Sequence, residues 1–473
     1  MNGNPCSRLP LCPLRMSRRR FLAAAGAAAA AAQVDLGRLA SPLFGEEPRT
    51  AGRPVVGVVF VRPQKGPVVS WPGGNCDTAA QQALFTKTLT DAAATLGVQL
   101  QVQAAPIDKP EEVSACLDGL KASPPDGLIV CAMELFCWEP VNQLVQHRGD
   151  IPTIVYSNLS GFTGNLQCGR NTPKTFLGAT QDVGWLATAV RMLAAIWRMR
   201  HTRLLLVAGG GGDRTVEHLG TTFHGIPKAR FEEEFKKVEA TDDVRAMADA
   251  YARGAKAIVE PTPADLLEAA KNYVVIRRLL EAENCHGISL DCLGWKNPVC
   301  LAYSRLLDEG IVAGCEADQN AALGMLLSML LLGRPGFIQD PSPNTVHNTL
   351  IGAHCTSPTR LEGFDQPYRA PYVLRNYHTC TGVSPQVLWP EGSPATVLTF
   401  TAAASLAVGT GRVRANIPQP PSGCCRTAVE IELDGVADTR DVKGFHQLFI
   451  LGNHGRMLKA YGQLAGIQVT PIA

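Results

Sequence analysis

The 473 residues carry 44 basic and 42 acidic side chains, a formal net charge of +2, with 46% hydrophobic and 18% charged content. No basic block lies beyond the extreme N-terminus, which excludes an electrostatic nucleic-acid footprint, and the composition is globular rather than disordered or membrane-embedded. A chain this long exceeds one ordinary core and calls for two or three domains.

Near the start, "SRRRFLAAAGAAAAAAQ" joins paired arginines (Arg18, Arg19) to Phe21, Leu22 and a weakly hydrophobic alanine tract. That layout resembles a twin-arginine export signal. The expectation is a signal over residues 1–32, cut near Ala30-Ala31-Ala32, then a polar linker over 33–53. The protein would meet the twin-arginine translocase and end up periplasmic or extracytoplasmic. Such export carries chains already folded, often with a cofactor loaded. No later apolar run reaches the roughly 18 to 20 residues of a bilayer span.

From residue 54 the chain takes on α/β rhythm. "PVVGVVFV" (54–61) has buried-strand length, Thr78 to Leu96 is amphipathic, and "VQLQVQ" (98–103) alternates like a strand. "DGLIVCA" (126–132) and "IPTIVYS" (151–157) are further strands, giving a first lobe over 54–165. A second lobe, 166–312, repeats the pattern: a helix over 182–199, strands "RLLLVAGG" (203–210) and "AKAIVEP" (255–261), a helix over 263–284 and the strand "HGISLDCL" (286–293). Strands alternating with helices imply parallel sheets covered on both faces. From 313 an apolar helix gives way to Pro-rich loops and to short strands "ATVLTFTAA" (395–403), "GRVRANI" (411–417) and "TAVEIELDG" (427–435). The expected fold is α/β: two doubly wound parallel-sheet lobes, then a mixed domain over 313–473 with an antiparallel, barrel-like part.

Two tempting motifs fail. The loop "VAGGGGDRTVEHLG" (207–220) lacks both GxGxxG spacing and the Walker lysine, so no nucleotide cofactor is expected. Of 15 cysteines, Cys6 and Cys12 fall in the signal, and the odd remainder contains no CxxC pair. Most read as small buried hydrophobes; vicinal Cys424-Cys425 has no assigned role.

The polar residues of the third domain are individually ordinary. Glu316 and Asp318 open the run "GCEADQNAALGMLLSMLLLG", where acids suit a helix start. Asp340 precedes a proline and reads as a loop residue. His354, His446 and His454 lie beside apolar runs. Taken together, "GCEADQNAALGMLLSMLLLGRPGFIQD", "GAHCTSPTR" and the terminal "GFHQLFILGNH…LAGIQV" resemble the L-fucose isomerase and L-arabinose isomerase superfamily.

The resemblance implies one divalent metal, Mn²⁺ first and Mg²⁺ second, held by Glu316, Asp340 and His446, with His354 as an extra ligand of the arabinose type. It also implies that Glu316 and Asp340 transfer protons. Aldose–ketose interconversion moves a proton between adjacent carbons through an enediol; it needs an acid, a base and an electrophile on the two oxygens. Carboxylates and imidazoles suit such an ion better than a structural zinc. Arg375, His378, Arg360, Asn344 and Trp71 are candidate sugar-binding residues; Trp71, with Asn75, would reach the ligand from a neighbouring subunit, since such isomerases often build sites between subunits of a homo-oligomer. The expected function is an exported, metal-dependent ketol isomerase acting on a sugar. The alternative is a non-catalytic periplasmic carbohydrate-binding protein.

Overall fold

An apolar run such as Val55–Val61 can expose neither face to water, so its sheet must be covered on both sides. In the computed structural model, residues 52–64, 68–69, 75–158, 161–295, 298–420 and 423–473 are described. The export signal and Trp71 lie outside them. Val55–Val61 is β1, followed by β2 (Gln99–Val102), β3 (Gly127–Ala132), β4 (Thr153–Ser157) and β5 (Thr175–Ala179). They form one parallel sheet in the order β2-β1-β3-β4-β5. Helix α1 (Thr78–Leu96) starts where the Asp77 carboxylate accepts from Ala80 N at 2.9 Å, and ends at Gly97, whose φ of 60° needs no Cβ. Helix α2 (Trp185–His201) packs on α1 and on β1 and β3. The first sheet therefore takes a strand and a helix from beyond residue 165.

A second sheet is built from β6 (Arg203–Ala208), β7 (Gly212–Thr215), β8 (Thr222–Pro227), β9 (Gly287–Leu290) and β10 (Val312–Cys315). Its order is β10-β9-β6-β8-β7, parallel except for the edge strand β7. Helix α3 (Pro263–Ala282) opens on a capping box between Thr262 and Asp265, as its Thr-Pro start predicts. "AKAIVEP" does not join this sheet. Only Ala257–Ile258 is a strand, both residues are exposed, and it pairs with Tyr372–Arg375 outside both parallel sheets.

The third part is a closed barrel. Strands β11 (Phe337–Asn344), β12 (Thr349–His354), β13 (Pro394–Ala402), β14 (Ser405–Asn416), β15 (Thr427–Leu433) and β16 (Gln447–Leu451) run in the order β13-β16-β11-β12-β15-β14, and β14 pairs back onto β13. Every pairing around the ring is antiparallel, so no edge is left open there. Phe337, Trp389, Val397, Ile431 and Phe449 belong to its buried core. Asp340 lies within β11, not in the loop its following proline suggests. Past Gln339, β11 pairs only with β12, so Pro341 and Pro343 leave no second neighbour short of a hydrogen bond.

Helix α4 (Gln319–Leu327) and the π-helical turn Ser328–Leu332 house the long apolar run. They pack on β10, β13, β16 and α2. One buried post thus touches both sheets' lobes and the barrel.

Candidate metal centre

The site begins where edge strand β10 runs out. After Cys315 the backbone turns through Glu316 (φ 57°) and Ala317 (φ 54°). Two successive side chains in the left-handed region cost on the order of 1 kcal/mol each. The turn is pinned by Ala317 N donating to Leu290 O at 3.1 Å and Asp318 N to Cys315 O at 3.0 Å. Asp318 then caps α4, accepting from Ala321 N at 2.8 Å.

Barrel register supplies the facing groups. The β11–β16 ladder ends at Gln339 opposite Gln447, so the next step sets Asp340 opposite His446. On its other side β11 pairs Asp340 with Ala353, next to His354 at the end of β12. Asp340, His446 and His354 therefore meet at the same end of three adjacent strands, within a residue of one level. Gly352 permits this packing: a Cβ there would lie 2.4 Å from the Phe449 ring and 2.5 Å from Gln339 Oε1.

Glu316 stands between the two imidazoles. Its Oε1 is 3.7 Å from His354 Nε2 and its Oε2 is 3.7 Å from His446 Nε2. One ligand atom from each of Glu316, His354 and His446 lies within 4.8 Å of the others. Asp340 joins through His446, its Oδ1 3.1 Å from Nε2. His446 Nε2, His354 Nε2 and Asp340 Oδ1 are buried atoms that complete no hydrogen bond, a costly condition unless something else sits among them. Ligand atoms at right angles on a Mn²⁺-sized ion stand about 3 Å apart; the donor set suits a divalent cation, and the 3.7 Å contacts of Glu316 would close by roughly 0.7 Å around one. The imidazoles form the back wall, with side chains 2% and 6% exposed, while the Asp340 side chain is 42% exposed and open to a ligand.

Asp318 has a second partner. Its Oδ2 meets His446 Nδ1 at 2.8 Å, which places the ring proton on Nδ1 and leaves Nε2 facing Glu316 and Asp340. Burial disfavours the charged form of His446, but the carboxylates of Asp318 and Asp340 outweigh it and raise the pKa to about 9. His354 is opposed by burial in the same way and raised by Glu316, then by Cys355 and Asp340. The carboxyls respond conversely. Burial pushes Asp318 up, but His446 and the Ala321 amide hold it below its ordinary value; Asp340 is likewise lowered by His446 and His354 against burial.

The other expected residues lie differently. Arg375 is engaged by Glu260 through contacts of 2.7 to 2.9 Å and by Gln386. Arg360 donates to the Phe364 and Asp308 carbonyls, and Asn344 to Glu430 Oε1 at 3.0 Å. None of the three presents a free polar head to the cluster. His378 sits near Cys355 and Cys425. His454 precedes the helix Gly455–Ala465 and its Nε2 meets the Leu451 carbonyl at 2.9 Å. Asp318 was read from sequence only as a helix cap; its place two residues after Glu316 is the signal for its second role. A cleft of about 550 Å³ on the first lobe is lined by Gln101, Gln103, Glu112 and Cys116 among others, away from this cluster.

No family model matches the chain. It is 24% identical over 288 residues to a sulfoquinovose isomerase of Alkalicoccus urumqiensis, covering 52% of this chain and 62% of that relative. The chain thus spans less than two thirds of the curated relative it matches. The similarity is to a sugar isomerase, and not specifically to an L-fucose isomerase. Among solved structures, a solute-binding protein from Agrobacterium vitis bound with α-D-tagatopyranose matches 59% of this chain and 87% of its own, at 15% identity and a TM-score of 0.19. A sugar-binding protein from Bacillus halodurans matches 62% and 91%, at 13% identity and a TM-score of 0.18. Likeness so slight carries no weight here.

Proposed function

We propose that this protein is an aldose–ketose isomerase acting on a sugar or sugar derivative, with a divalent ion, Mn²⁺ by choice, held by Glu316, His354 and His446 and completed by Asp340. The observation that carries the reading is the meeting of two carboxylates and two imidazoles with orphaned buried atoms facing one another. Similarity to a sulfoquinovose isomerase supports the sugar and the reaction class. Export by the twin-arginine route belongs to the same proposal and rests on Arg18, Arg19 and the alanine tract.

Bound there, a divalent ion would polarise the sugar carbonyl and hold the negative charge that develops on adjacent oxygens. The chain's own residues do the rest. Glu316, on its strained turn, and the part-exposed Asp340 carboxylate both face Nε2 of His446, at 3.7 and 3.1 Å. One removes the proton from the carbon beside the carbonyl and returns a proton, exchangeable with solvent, to the former carbonyl carbon, while the other relays the hydroxyl proton from one oxygen to its neighbour. The buried imidazoles close the rear and keep water out of that side.

Deuterium incorporation tests the reading. Metal-loaded protein is incubated in D₂O with a panel of aldoses and ketoses, including sulfonated hexoses. Interconversion with solvent deuterium entering the product is expected, falling by roughly 10² to 10⁴-fold in Glu316→Gln and Asp340→Asn. Sugar binding without any interconversion would instead favour a carbohydrate-binding protein, and undiminished turnover in both variants would remove these residues from the chemistry.

A further inference from the structure

A second cluster lies beside the first and the proposed isomerisation does not use it. Cys355 directly follows His354. The β12–β15 ladder ends at His354 opposite Thr427, so the chain beyond it brings Cys355 alongside the Cys425–Arg426 step. His378 arrives from a separate loop. The sulfurs of Cys355 and Cys425 and one ring nitrogen of His378 all lie within 4.8 Å of one another.

These groups are held in place rather than gathered by chance. Arg426, fully buried, donates to the carbonyls of Asn376 at 2.6 Å, Pro420 at 2.6 Å and Tyr377 at 3.4 Å, tying the residue after Cys425 to the residues before His378. Gly423 N donates to the His378 carbonyl at 3.0 Å, and Ser384 Oγ to the Cys355 carbonyl at 2.9 Å. The Tyr377 ring lies 3.8 Å from the His378 ring. Each ligand segment is thus anchored through its backbone, leaving the side chains to converge.

We propose that Cys355, Cys425 and His378 form a second, thiolate-rich site for a soft divalent ion of the zinc class. Tetrahedral zinc holds sulfur at about 2.3 Å and nitrogen at about 2.0 Å, so its ligand atoms stand roughly 3.5 to 3.8 Å apart, within the spread observed. Three protein ligands leave a fourth position for water or ligand. It opens on the side of His378 and Cys425, which are half-buried, while Cys355 is buried. Carboxylate–imidazole and thiolate–imidazole sets side by side sort ions by softness: manganese or magnesium to the first, zinc to the second. The missing CxxC is no objection, because the ligands come from three segments.

Cobalt(II) substitution tests this on the full chain, reduced and stripped of metal. Near-ultraviolet thiolate-to-cobalt charge transfer and tetrahedral visible bands are expected, saturating at one ion per chain. The bands persist in Glu316→Gln, which removes a ligand of the other site, and in Cys424→Ser. They vanish in Cys425→Ser, and cobalt affinity falls at least about tenfold in His378→Asn. Both variants change half-buried residues, and circular dichroism of each checks that it folds. Cobalt binding without a charge-transfer band, or a band that survives Cys425→Ser, overturns the assignment. So does a disulfide between Cys355 and Cys425 that persists under the reducing conditions.

Discussion

Asp318 shows how one carboxylate serves two purposes: one oxygen caps α4 and the other holds His446 Nδ1. Asn caps a helix about as well as Asp, but with its one oxygen on the Ala321 amide it presents an NH2 group to Nδ1, so Asp318→Asn keeps the cap and removes both the charge and the acceptor behind the imidazole. Metal affinity is expected to fall 10- to 100-fold by isothermal titration, and the melting temperature of the metal-free protein to drop as His446 loses part of its pairing. Asp318→Ala loses the cap as well, at about 1 kcal/mol. His446 gives a pH signature. Its pKa in the metal-free protein is raised from 6.5 to about 9, so its pairing with the carboxylates stabilises fully below about pH 6.5 and is lost as pH rises through 9. The contribution is of the order of 3 kcal/mol. Metal binding runs the other way, because the ion must displace a proton; affinity should climb about tenfold per pH unit towards 9 and then level off. Proton release during titration in buffers of different ionisation enthalpy measures it, and affinity independent of pH would contradict the assignment.

At the scale of elements, strain in the β10–α4 turn and close packing in β12 fix the site. Alanine is poorly suited to φ 54°, so Ala317→Gly relieves strain and also loosens the unfolded chain. The two effects nearly cancel, and chemical denaturation should show a change between zero and about 1 kcal/mol in favour of the variant, where an ordinary Ala→Gly loses 0.5 to 1 kcal/mol. Gly352→Ala is the opposite case. Its methyl group meets a packed ring and a hydrogen-bonded glutamine, with an expected cost of 1 to 3 kcal/mol and a displaced His354. Sequence pattern carried part of this. β1, β3 and β4, α1, α3 and the strands from 395 onward were legible because their periodicity or apolar length was unbroken. β5 and β8 were not, being short and only partly buried, and β7 is exposed throughout. The prolines after Asp340 concealed a strand whose far side has no neighbour.

Across the whole molecule, the proposed ligands come from the end of the second parallel sheet, from two barrel strands and from the residue that leads into a third, with α4 as the buried post between them. No spacing in the sequence reveals that convergence. Glu316, Asp340, His354 and His446 were singled out through a likeness to sugar isomerases, and the structure brings Glu316, His354 and His446 together; the Cys355–His378–Cys425 cluster, scattered over three segments, gave no such signal. An ion at this junction binds only the assembled form, so Mn²⁺ at a hundred times its dissociation constant should add about 2.7 kcal/mol to stability. Differential scanning calorimetry should record a metal-dependent rise in melting temperature that is absent in Glu316→Gln. The most direct test is anomalous diffraction from Mn²⁺-loaded crystals at the manganese edge. The account predicts a peak bonded to the Glu316 carboxylate and to Nε2 of His354 and His446 at about 2.0 to 2.3 Å, with Asp340 alongside. An empty density between these residues with manganese bound elsewhere would contradict it.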